Sequence, residues 1–361
     1  MKILHIISGY LGQGGAERLV IDLAEAQAQL GHNITIACLY PTNERSLQVP
    51  AIVKVHSFGK TRGLNIKLPF LIKNYINAEN PDAVNCHLPA LFLYMIPSLL
   101  RCNCKFFYTI HSNPIQEEPR KWVRNMRKYF INIGKLKFIG ITDKNKDDFE
   151  ALYGVSDKLT VIYNGRKPLE PTSQYDAVKT EVNEYKTNSD TKVFIAVGRL
   201  FEPKNYPLML KSFYQLISEN VVLLILGFGD QNQFKDITPS NVRFLGAKNN
   251  VCDYLLCADA FCMSSSFEGM PISIIEAMSV GLPVLSTNVG GIPDIVKDEV
   301  NGLLCKTQEV ADYVAMLKRY LSLPVAKIDE ISKVNRATFA EKYDIALTAK
   351  KYIQLYNDGT L

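Results

Sequence analysis

Two glutamates with seven residues between them form the most informative chemical pattern in the sequence. Glu268 and Glu276 lie in the segment SSSFEGMPISIIEAM. Proline is common in the first turn of a helix, so Pro271 predicts a strand ending near Ser265, a turn carrying Glu268, and a helix whose first residue is Pro271. One carboxylate would then precede the helix, and the other would lie about a turn and a half inside it.

The start of this predicted helix suits an anion or a sugar. Backbone N–H groups of Gly269 and Met270 would point at a group docked there, and a helix N-terminus favours negative charge. Glu276 lies in an otherwise apolar helix, where a buried carboxylate needs hydrogen-bond donors, and sugar hydroxyls would supply them. The structural alternative makes Glu268 a solvated turn acid and places Glu276 on the exposed face of the helix.

A basic pair follows another predicted strand. The segment VGRLFEPKN carries Arg199, whose guanidinium is a planar fork, and Lys204, whose ammonium is a compact charge. Such a pair suits a diphosphate. Basic residues after a strand are usually only solvated, so this segment is a weak signal on its own.

A glycine-rich loop, SGYLGQGGAE, joins the first predicted strand to the first helix. Ligands of parallel sheets bind beyond the carboxyl ends of strands, and Gly14 and Gly15 would let backbone N–H groups approach an anion there. A dinucleotide fingerprint would need glycine where Glu17 stands, and the second strand ends in Leu39-Tyr40 with no acid for a ribose. The loop therefore disfavours NAD, and a merely tight turn is its alternative.

Short β-rich runs alternate with amphipathic helical runs in both halves, which predicts two parallel α/β sheets. The predicted strands of the first half are Lys2–Ser8, Asn33–Tyr40, Val53–Phe58, Ala83–His87, Lys105–His111, Phe138–Thr142 and Thr160–Tyr163. Those of the second half are Val193–Val197, Val221–Leu226, Val242–Leu245, Ala260–Ser264 and Pro283–Thr287. We expect a Rossmann-like domain over 1–166, a polar linker over 167–190, a second Rossmann-like domain over 191–342, and a helical segment, 343–361, that can pack back on the first.

The composition limits the class of protein. Eight cysteines form no CxxC pair, all five histidines precede residue 112, and there is no Asp-x-Asp, so we expect no metal and no other cofactor. The N-terminal apolar run is too short for a signal peptide. The longest apolar stretch, Ala90–Leu100, falls well short of the roughly 20 residues of a membrane span. These features predict a cytoplasmic protein.

Taken together, these segments resemble the retaining glycosyltransferases of family 4. The resemblance rests on the Glu268–Glu276 spacing, the GRLxxxKN segment, the GxGGAE loop and the closing NVGGIP and NGLL motifs, in the family's order from Gly12 to Leu304. It implies a GT-B fold, that is, two Rossmann-like, doubly wound parallel-sheet domains facing a cleft. It also implies a nucleotide-sugar donor, no metal ion and retention at the anomeric carbon.

The resemblance assigns roles to the candidate residues. Arg199 and Lys204 correspond to the pair that neutralises the donor diphosphate. Glu276 corresponds to the ribose-binding acid and Glu268 to the acid that contacts the transferred sugar. The backbone that contacts phosphates and sugar corresponds to Gly14, Gly15, Gly269, Met270, Pro271 and Ile272.

His111, in the segment YTIHS, corresponds to the family's strand-end histidine near the donor sugar. From the residues alone, a structural histidine is the stronger interpretation. Two departures from the family pattern stand out. Tyr163 replaces a proline, which we expect to be harmless, and the usually acidic segment after Gly246 is AKNN, which leaves the contacts to the base open.

Residues 120–137 are basic and amphipathic, with seven Lys/Arg, no acid and the only tryptophan of the chain. The helical pattern predicts one helix over 117–133, and its apolar residues recur on one face from Trp122 to Ile133. The segment predicts a surface for anionic lipid headgroups, and the alternative is a helix that packs this stripe on the sheet. The candidate membrane or acceptor surface consists of Arg120, Lys121, Trp122, Arg124, Arg127 and Lys128.

The sequence therefore predicts a metal-independent transferase that moves a hexosyl or N-acetylhexosaminyl group from a nucleotide-sugar, a UDP-sugar by preference, to a glycan or lipid-linked acceptor. Such a reaction would serve surface polysaccharide or glycoconjugate biosynthesis, at the inner face of the plasma membrane if the basic segment binds lipid, and with no nucleic-acid partner. The alternatives are a UDP-sugar epimerase of the same fold and a non-catalytic two-domain sugar-binding protein.

Overall fold

The computed structural model describes residues 1–9, 11–12, 14–43, 46–61, 63, 65–88, 91–155 and 157–358. Tyr10 and Gln13 of the glycine loop, Ala90 at the start of a predicted apolar stretch, and 359–361 lie outside the described residues. The chain divides into two compact units. Unit 1 comprises 1–167 with 342–361, and unit 2 comprises 168–341.

The core of unit 1 is a seven-stranded parallel sheet with strand order β3-β2-β1-β4-β5-β6-β7. Its strands are β1 (Lys2–Ile7), β2 (Asn33–Cys38), β3 (Lys54–Ser57), β4 (Ala83–His87), β5 (Lys105–Ile110), β6 (Lys137–Gly140) and β7 (Leu159–Val161). The interior strand β1, KILHII, is buried from Ile3 to Ile7, as expected for a parallel strand covered on both faces. The chain winds to one side from β1 and to the other from β4, so a switch point lies between these two strands.

Unit 2 is built on a six-stranded parallel sheet with strand order β10-β9-β8-β11-β12-β13. The strands are β8 (Lys192–Val197), β9 (Val221–Leu226), β10 (Val242–Gly246), β11 (Ala260–Met263), β12 (Val284–Thr287) and β13 (Gly302–Cys305). Here the switch point lies between β8 and β11. β13 is a strand that the sequence analysis did not predict.

Helices cover the sheets. The first six belong to unit 1: α1 (Gly15–Gln29), α2 (Leu68–Glu79), α3 (Leu91–Arg101), α4 (Pro114–Glu117), α5 (Lys121–Asn132) and α6 (Asp143–Tyr153). The next seven belong to unit 2: α7 (Tyr175–Glu184), α8 (Tyr206–Tyr214), α9 (Val251–Leu256), α10 (Ile272–Ser279), α11 (Ile292–Ile295), α12 (Val310–Leu321) and α13 (Val325–Thr338). After a π-helical turn at Phe339–Tyr343, α14 (Ile345–Asp358) packs on α1 in unit 1.

The predicted linker 167–190 is wrong over ten of its 24 residues. Residues Tyr175–Glu184 form α7, which buries Val178 and Val182 and packs against α9 within unit 2. These two valines, one turn apart, are the helix's only buried residues. A polar segment with so short an apolar stripe is easily taken for a linker.

A continuous helix over residues 117–133 is also wrong. Glu117 ends the short helix α4, and α5 starts only at Lys121. Pro119 explains the break, because proline lacks a backbone N–H and disfavours helical geometry at the residue before it. Asn113 caps α4, since its side chain accepts hydrogen bonds from the N–H groups of Ile115 and Gln116.

Candidate active site

The candidate residues of unit 2 meet at the switch point of its sheet. Arg199 and Lys204 follow β8, while the segment from Ser264 to Ile272 follows the neighbouring strand β11. Ligands of open parallel sheets bind in the crevice beyond such a point. Strand order therefore brings together residues about 60 positions apart in the chain.

Lys204 and Glu268 form an ion pair at this point. The Lys204 Nζ lies 2.7 Å from Glu268 Oε1, and the Ser265 hydroxyl donates to the same oxygen at 2.7 Å. The two charged side chains are 17% and 14% exposed, so water screens the pair only partly. The sequence prediction found the lysine and the acid but neither their pairing nor Ser265.

The backbone under this pair is held from two sides. The Ser266 N–H donates to Pro203 O at 2.9 Å, and the Ser264 hydroxyl donates to Asn205 O at 2.9 Å. Gly291 N–H donates to Glu268 O at 3.1 Å. A side chain at Gly290, which has a φ of 56°, would collide with that same carbonyl. The acid is therefore fixed before any ligand arrives.

The helix that follows Glu268 starts one residue later than predicted. Pro271 has a ψ of 117° and is the N-cap of α10, whose first residue is Ile272. The prediction of Pro271 as the first helical residue is thus wrong by one position, although the φ of −69° suits either place. The first turn of α10 still leaves backbone N–H groups without partners in the helix.

Glu276 lies within α10 and is half-buried. Burial raises the pKa of the Cys252 thiol in α9 to about 11, and the negative charges of Asp253 and Glu276 add to the rise. Glu268, by contrast, faces Lys204. The division of roles between the two acids stays a prediction.

Arg199 is exposed and does not join this cluster. Its guanidinium carbon lies 4.6 Å from the centre of the Phe201 ring, and it makes no hydrogen bond or ion pair to the described residues. A long side chain that rests on an aromatic ring can swing to a ligand at low cost. The structure brings Lys204, but not Arg199, to Glu268.

In unit 1 the glycine loop leads into α1 with Gly14 as its N-cap. The Glu17 carboxylate folds back over Gly14, where any side chain would collide with it. Gly15 is the first helical residue and is exposed. The glycines therefore allow an acid to close over the start of the helix, a feature that the sequence analysis did not predict.

His111 lies one residue beyond the end of β5 and belongs to a chain of three histidines. Its Nε2 is 3.1 Å from His87 Nδ1, and His87 Nε2 is 3.0 Å from His5 Nδ1. His5 Nε2 is in turn 2.8 Å from Gln27 Oε1. We call Gln27, His5, His87 and His111 the histidine chain. Sequence reasoning predicted only His111, although all three histidines lie in or next to strands.

The backbone of His111 is also fixed. Its N–H donates to Glu117 Oε1 at 2.7 Å, and that oxygen also accepts from Ser112 N–H at 2.9 Å. Asn145 Nδ2 donates to Ser112 O at 2.9 Å. Burial raises the pKa of Glu117, whereas these donors oppose the rise.

Burial lowers the pKa of His5 and of His111 to about 4 and that of His87 well below its usual range, which predicts acid sensitivity. As pH falls below the ordinary value of about 6.5, the unfolded chain binds protons that the folded rings refuse. Stability is therefore complete above pH 6.5 and is lost between pH 6.5 and 4, by about 2 kcal/mol for each of His5 and His111 at pH 5. Urea unfolding at pH 7 and pH 5 measures the loss.

A His5→Gln variant should lose about 2 kcal/mol less than the wild type between these two pH values. His32→Gln, outside the histidine chain, is the matched control and should behave nearly like the wild type. Equal losses in the wild type and in His5→Gln would show that His5 is not held neutral.

The basic segment is only partly the surface that the sequence predicts. Arg127 is 1% exposed, so its assignment to a membrane surface is wrong. Its guanidinium carbon lies 4.7 Å from the Tyr108 ring centre and 5.4 Å from that of Phe92, and it pairs with Glu118 at 3.9 Å. Arginine is the basic residue best suited to burial, because its flat guanidinium stacks on rings while pairing with a carboxylate.

The aromatic stripe of α5 is exposed instead. Trp122, Tyr129 and Ile133 are 54%, 58% and 47% exposed, while the inward face carries Val123, Arg127, Phe130 and Ile131. The predicted alternative, in which the stripe packs on the sheet, therefore holds only for Phe130, which is buried, and Met126, which is half-buried against the core. Lys121 and Lys128 are exposed and Arg124 is half-buried, whereas Arg120 pairs with Glu118 at 2.6 Å.

Two features are absent from the described residues. None of the helices there is long and apolar enough to cross a membrane. Nor does that part of the chain gather three or more His, Cys, Asp or Glu side chains into a possible metal site.

Solved structures show which class of fold this is. The structure of HepE from Anabaena in complex with UDP and glucose matches with a TM-score of 0.80 at 18% identity, covering 98% of this chain and 99% of that one. WaaG, a glycosyltransferase involved in lipopolysaccharide biosynthesis, matches with a TM-score of 0.72 over 99% of this chain and 100% of its own. Two Rossmann-like units with this strand order have the GT-B fold.

Family comparisons narrow the class. The family described as Glycosyltransferase Family 4 matches residues 13–168, and that described as Glycosyl transferases group 1 matches residues 178–338. Between them they cover most of the chain. The chain belongs to glycosyltransferase family 4.

Curated relatives are similar over most of the length. The UDP-Gal:alpha-D-GlcNAc-diphosphoundecaprenol alpha-1,3-galactosyltransferase of Escherichia coli is 29% identical over 269 residues, which are 70% of this chain and 68% of that protein. The N-acetyl-alpha-D-glucosaminyl L-malate synthase of Bacillus anthracis is 29% identical over 341 residues, which are 88% of either chain. The acceptors in these names differ in chemistry, so family membership alone does not name the acceptor here.

Proposed function

We propose that the chain is a retaining glycosyltransferase that moves a hexosyl or N-acetylhexosaminyl group from a UDP-sugar to a lipid-linked or glycan acceptor. The observation that carries the proposal is the Lys204–Glu268 pair, fixed at the switch point before the start of α10. A cation, a carboxylate and the N-terminal backbone N–H groups of a helix suit a diphosphate joined to a sugar.

In this proposal the contact between Lys204 and Glu268 breaks when the donor binds. The diphosphate then replaces Glu268 as the anion next to Lys204, and the Arg199 side chain moves from the Phe201 ring to bind the diphosphate as well. Glu268, still held by Ser265, is then available to a sugar hydroxyl. The negative charge that develops on the leaving diphosphate is stabilised by Lys204, Arg199 and the first N–H groups of α10.

The nature of donor and acceptor is supported by relatives. HepE was crystallised with UDP, and the Escherichia coli relative is named for a UDP-galactose donor and a diphosphoundecaprenol-linked acceptor. We infer a UDP-sugar and a lipid-linked acceptor for this chain, in surface polysaccharide or glycoconjugate synthesis. A screen of nucleotide-sugars by release of nucleoside diphosphate, with lipid-linked acceptors present, tests this. If no UDP-sugar releases UDP while a GDP-sugar releases GDP, the choice of nucleotide is wrong.

We also propose that transfer needs no metal ion, because Lys204, Arg199 and the start of α10 supply the charge that a metal would bring to the diphosphate. Activity in excess chelator is then expected to equal activity in its absence. Turnover is measured with EDTA and after re-addition of Mg²⁺ or Mn²⁺. A loss that either metal restores would contradict the proposal.

Finally, we propose that the protein works at the cytoplasmic face of the membrane, with α5 against anionic lipid. The exposed ring of Trp122 lies next to exposed lysines on α5, a combination that suits headgroups. Since Trp122 is the only tryptophan, its emission should shift to shorter wavelength on anionic vesicles, and added salt should reverse the shift.

Charge reversal tests the membrane surface. Lys121→Glu, Arg124→Glu and Lys128→Glu together should abolish vesicle binding, whereas Lys333→Glu, Lys350→Glu and Lys351→Glu, an equal change at exposed sites elsewhere, should leave it nearly unchanged. Arg127 is left intact because it is buried. Equal binding by both triple variants would show that the basic face of α5 is only solvated.

A further inference from the structure

The histidine chain crosses three adjacent strands on one face of the sheet. Ile7 pairs with His87, and His87 pairs with Thr109, so each histidine lies two residues further toward the carboxyl edge than its neighbour. Side chains two residues apart point to the same face. The three rings therefore form a diagonal that runs from Gln27 in the interior to His111 at the edge where ligands of such sheets bind.

Hydrogen bonding links the protonation of the three rings. A neutral imidazole has one N–H donor and one acceptor nitrogen, and each contact between rings needs one of each. With the Gln27 amide oxygen accepting from His5 Nε2, the His5 Nδ1 must accept from His87 Nε2. By the same rule His87 Nδ1 must accept from His111 Nε2.

We propose that Gln27, His5 and His87 are positioning residues that hold His111 as the Nε2–H tautomer, with its Nδ1 free to accept a hydrogen bond from a substrate hydroxyl. The His111 Nδ1 makes no hydrogen bond to the described residues. This inference rests on the proposed function for the role of His111, but the tautomer itself does not depend on it.

Gln27, at the inner end of the histidine chain, explains why the three imidazole rings stay neutral. A carboxylate in place of Gln27 would attract a proton into the chain, whereas an amide accepts a hydrogen bond without a charge. His5, His87 and Gln27 are each fully buried, so a charged ring there would lack water. Burial accordingly lowers the pKa of all three histidines.

A fixed lone pair at His111 selects the chemical class of its partner. A hydroxyl can donate to Nδ1, whereas a phosphate oxygen has no proton to donate at neutral pH and would meet a lone pair. The geometry therefore assigns His111 to a hydroxyl of the donor sugar or of the acceptor and not to the diphosphate. The diphosphate is left to the cations of unit 2.

Nitrogen NMR of the full chain with labelled histidine tests the tautomer directly. Only five histidines are present, and replacing His32, His56 and His111 one at a time assigns the ring signals. We expect His5, His87 and His111 each to show a protonated Nε2 and an unprotonated Nδ1 at pH 7. A protonated Nδ1 in any of these three histidines overturns the proposal. The tautomers are measured in the wild-type protein, so this test needs no folded variant of Gln27, His5 or His87.

Removing the amide tests the coupling. Gln27→Met removes the amide oxygen that fixes which nitrogen of each ring carries the proton. The His111 nitrogen signals should therefore move to the averaged shifts of a tautomer mixture. Gln29→Met, exposed on the same helix, is the control and should leave them unchanged. If a folded Gln27→Met protein keeps the wild-type His111 signals, Gln27 has only a structural role. The proposal that Gln27, His5 and His87 hold the His111 tautomer is then overturned.

The activity of His111 variants tests the proposed contact of His111 with a hydroxyl separately from its tautomer. Asparagine places an amide oxygen near the position of Nδ1, so His111→Asn should retain about tenfold more activity than His111→Leu. Equal activity of the two variants would reject the hydroxyl contact, and with it this role for His111, whatever the NMR shows. The expected tautomer with the expected ranking supports both.

Discussion

Lys204→Met is expected to lower kcat/KM on the order of a hundredfold, a loss of about 3 kcal/mol in transition-state stabilisation, because the leaving diphosphate loses a charge-assisted partner. The effect should lie mainly in kcat if the contact strengthens as charge develops on the leaving group. Steady-state kinetics with the preferred donor measures it. Lys211→Met, an exposed lysine later on the same β8–α8 segment, should remain within twofold of the wild type.

The ion pair complicates this variant, since Lys204→Met leaves Glu268 half-buried beside Ser265 alone. Part of the loss could then come from a destabilised site. The double variant Lys204→Met with Glu268→Gln removes both charges and should recover stability but no activity. Recovery of activity in the double variant would mean that Lys204 serves only to neutralise Glu268 and not the donor.

Glu268→Gln and Glu276→Gln are expected to fail in different ways. Glu276→Gln should weaken UDP and donor alike, by about tenfold or more, because the ribose is common to both. Glu268→Gln should bind UDP at least as well as the wild type, since Lys204 no longer has an intramolecular partner, while turnover falls about a hundredfold as a sugar contact is lost. Calorimetry with UDP and donor kinetics on both variants decide between them.

The assignment depends on the contrast between the two variants. Glu202→Gln, an exposed acid in the same β8–α8 connection as Lys204, is a suitable control and should change neither quantity. If Glu268→Gln loses UDP as severely as Glu276→Gln, the division of labour between sugar and nucleotide is wrong. The close pairing of Lys204 with Glu268 makes that outcome a demanding test.

The sequence predicted most strands because parallel strands buried on both faces are short apolar runs, as in KILHII and VVLLIL. It missed β13, whose four residues GLLC follow a turn at 299–301. It also missed the break at Pro119, although proline gave a readable signal there. Helix α7 was harder, since Val178 and Val182 are its only buried residues.

The candidate site was predicted as a set of residues but not as a set of contacts. Lys204 and Glu268 are 64 positions apart, and only the adjacency of β8 and β11 brings them together. His5 and His87 were hidden for the same reason, since each looks like an ordinary strand residue until β1, β4 and β5 are known to be neighbours.

Arg127 was misplaced because helical periodicity does not report what covers a face. Its surroundings come from Tyr108 on β5, Phe92 on α3 and Glu118 before α5. A buried arginine is uncommon enough that the prior expectation is a solvated one. Only the three-dimensional arrangement of these partners could overturn it.

Analysis of the transferred product tests the central claim most directly. The protein is incubated with its preferred UDP-sugar and a diphosphate-linked lipid acceptor, with Lys204→Met as the low-activity control. UDP, the glycosylated lipid and the anomeric configuration of the new linkage are measured by mass spectrometry and NMR. We predict one glycosylated lipid for each UDP released, with the configuration of the donor retained. An isomerised UDP-sugar without UDP release, an inverted linkage, or donor binding without any conversion would contradict the account.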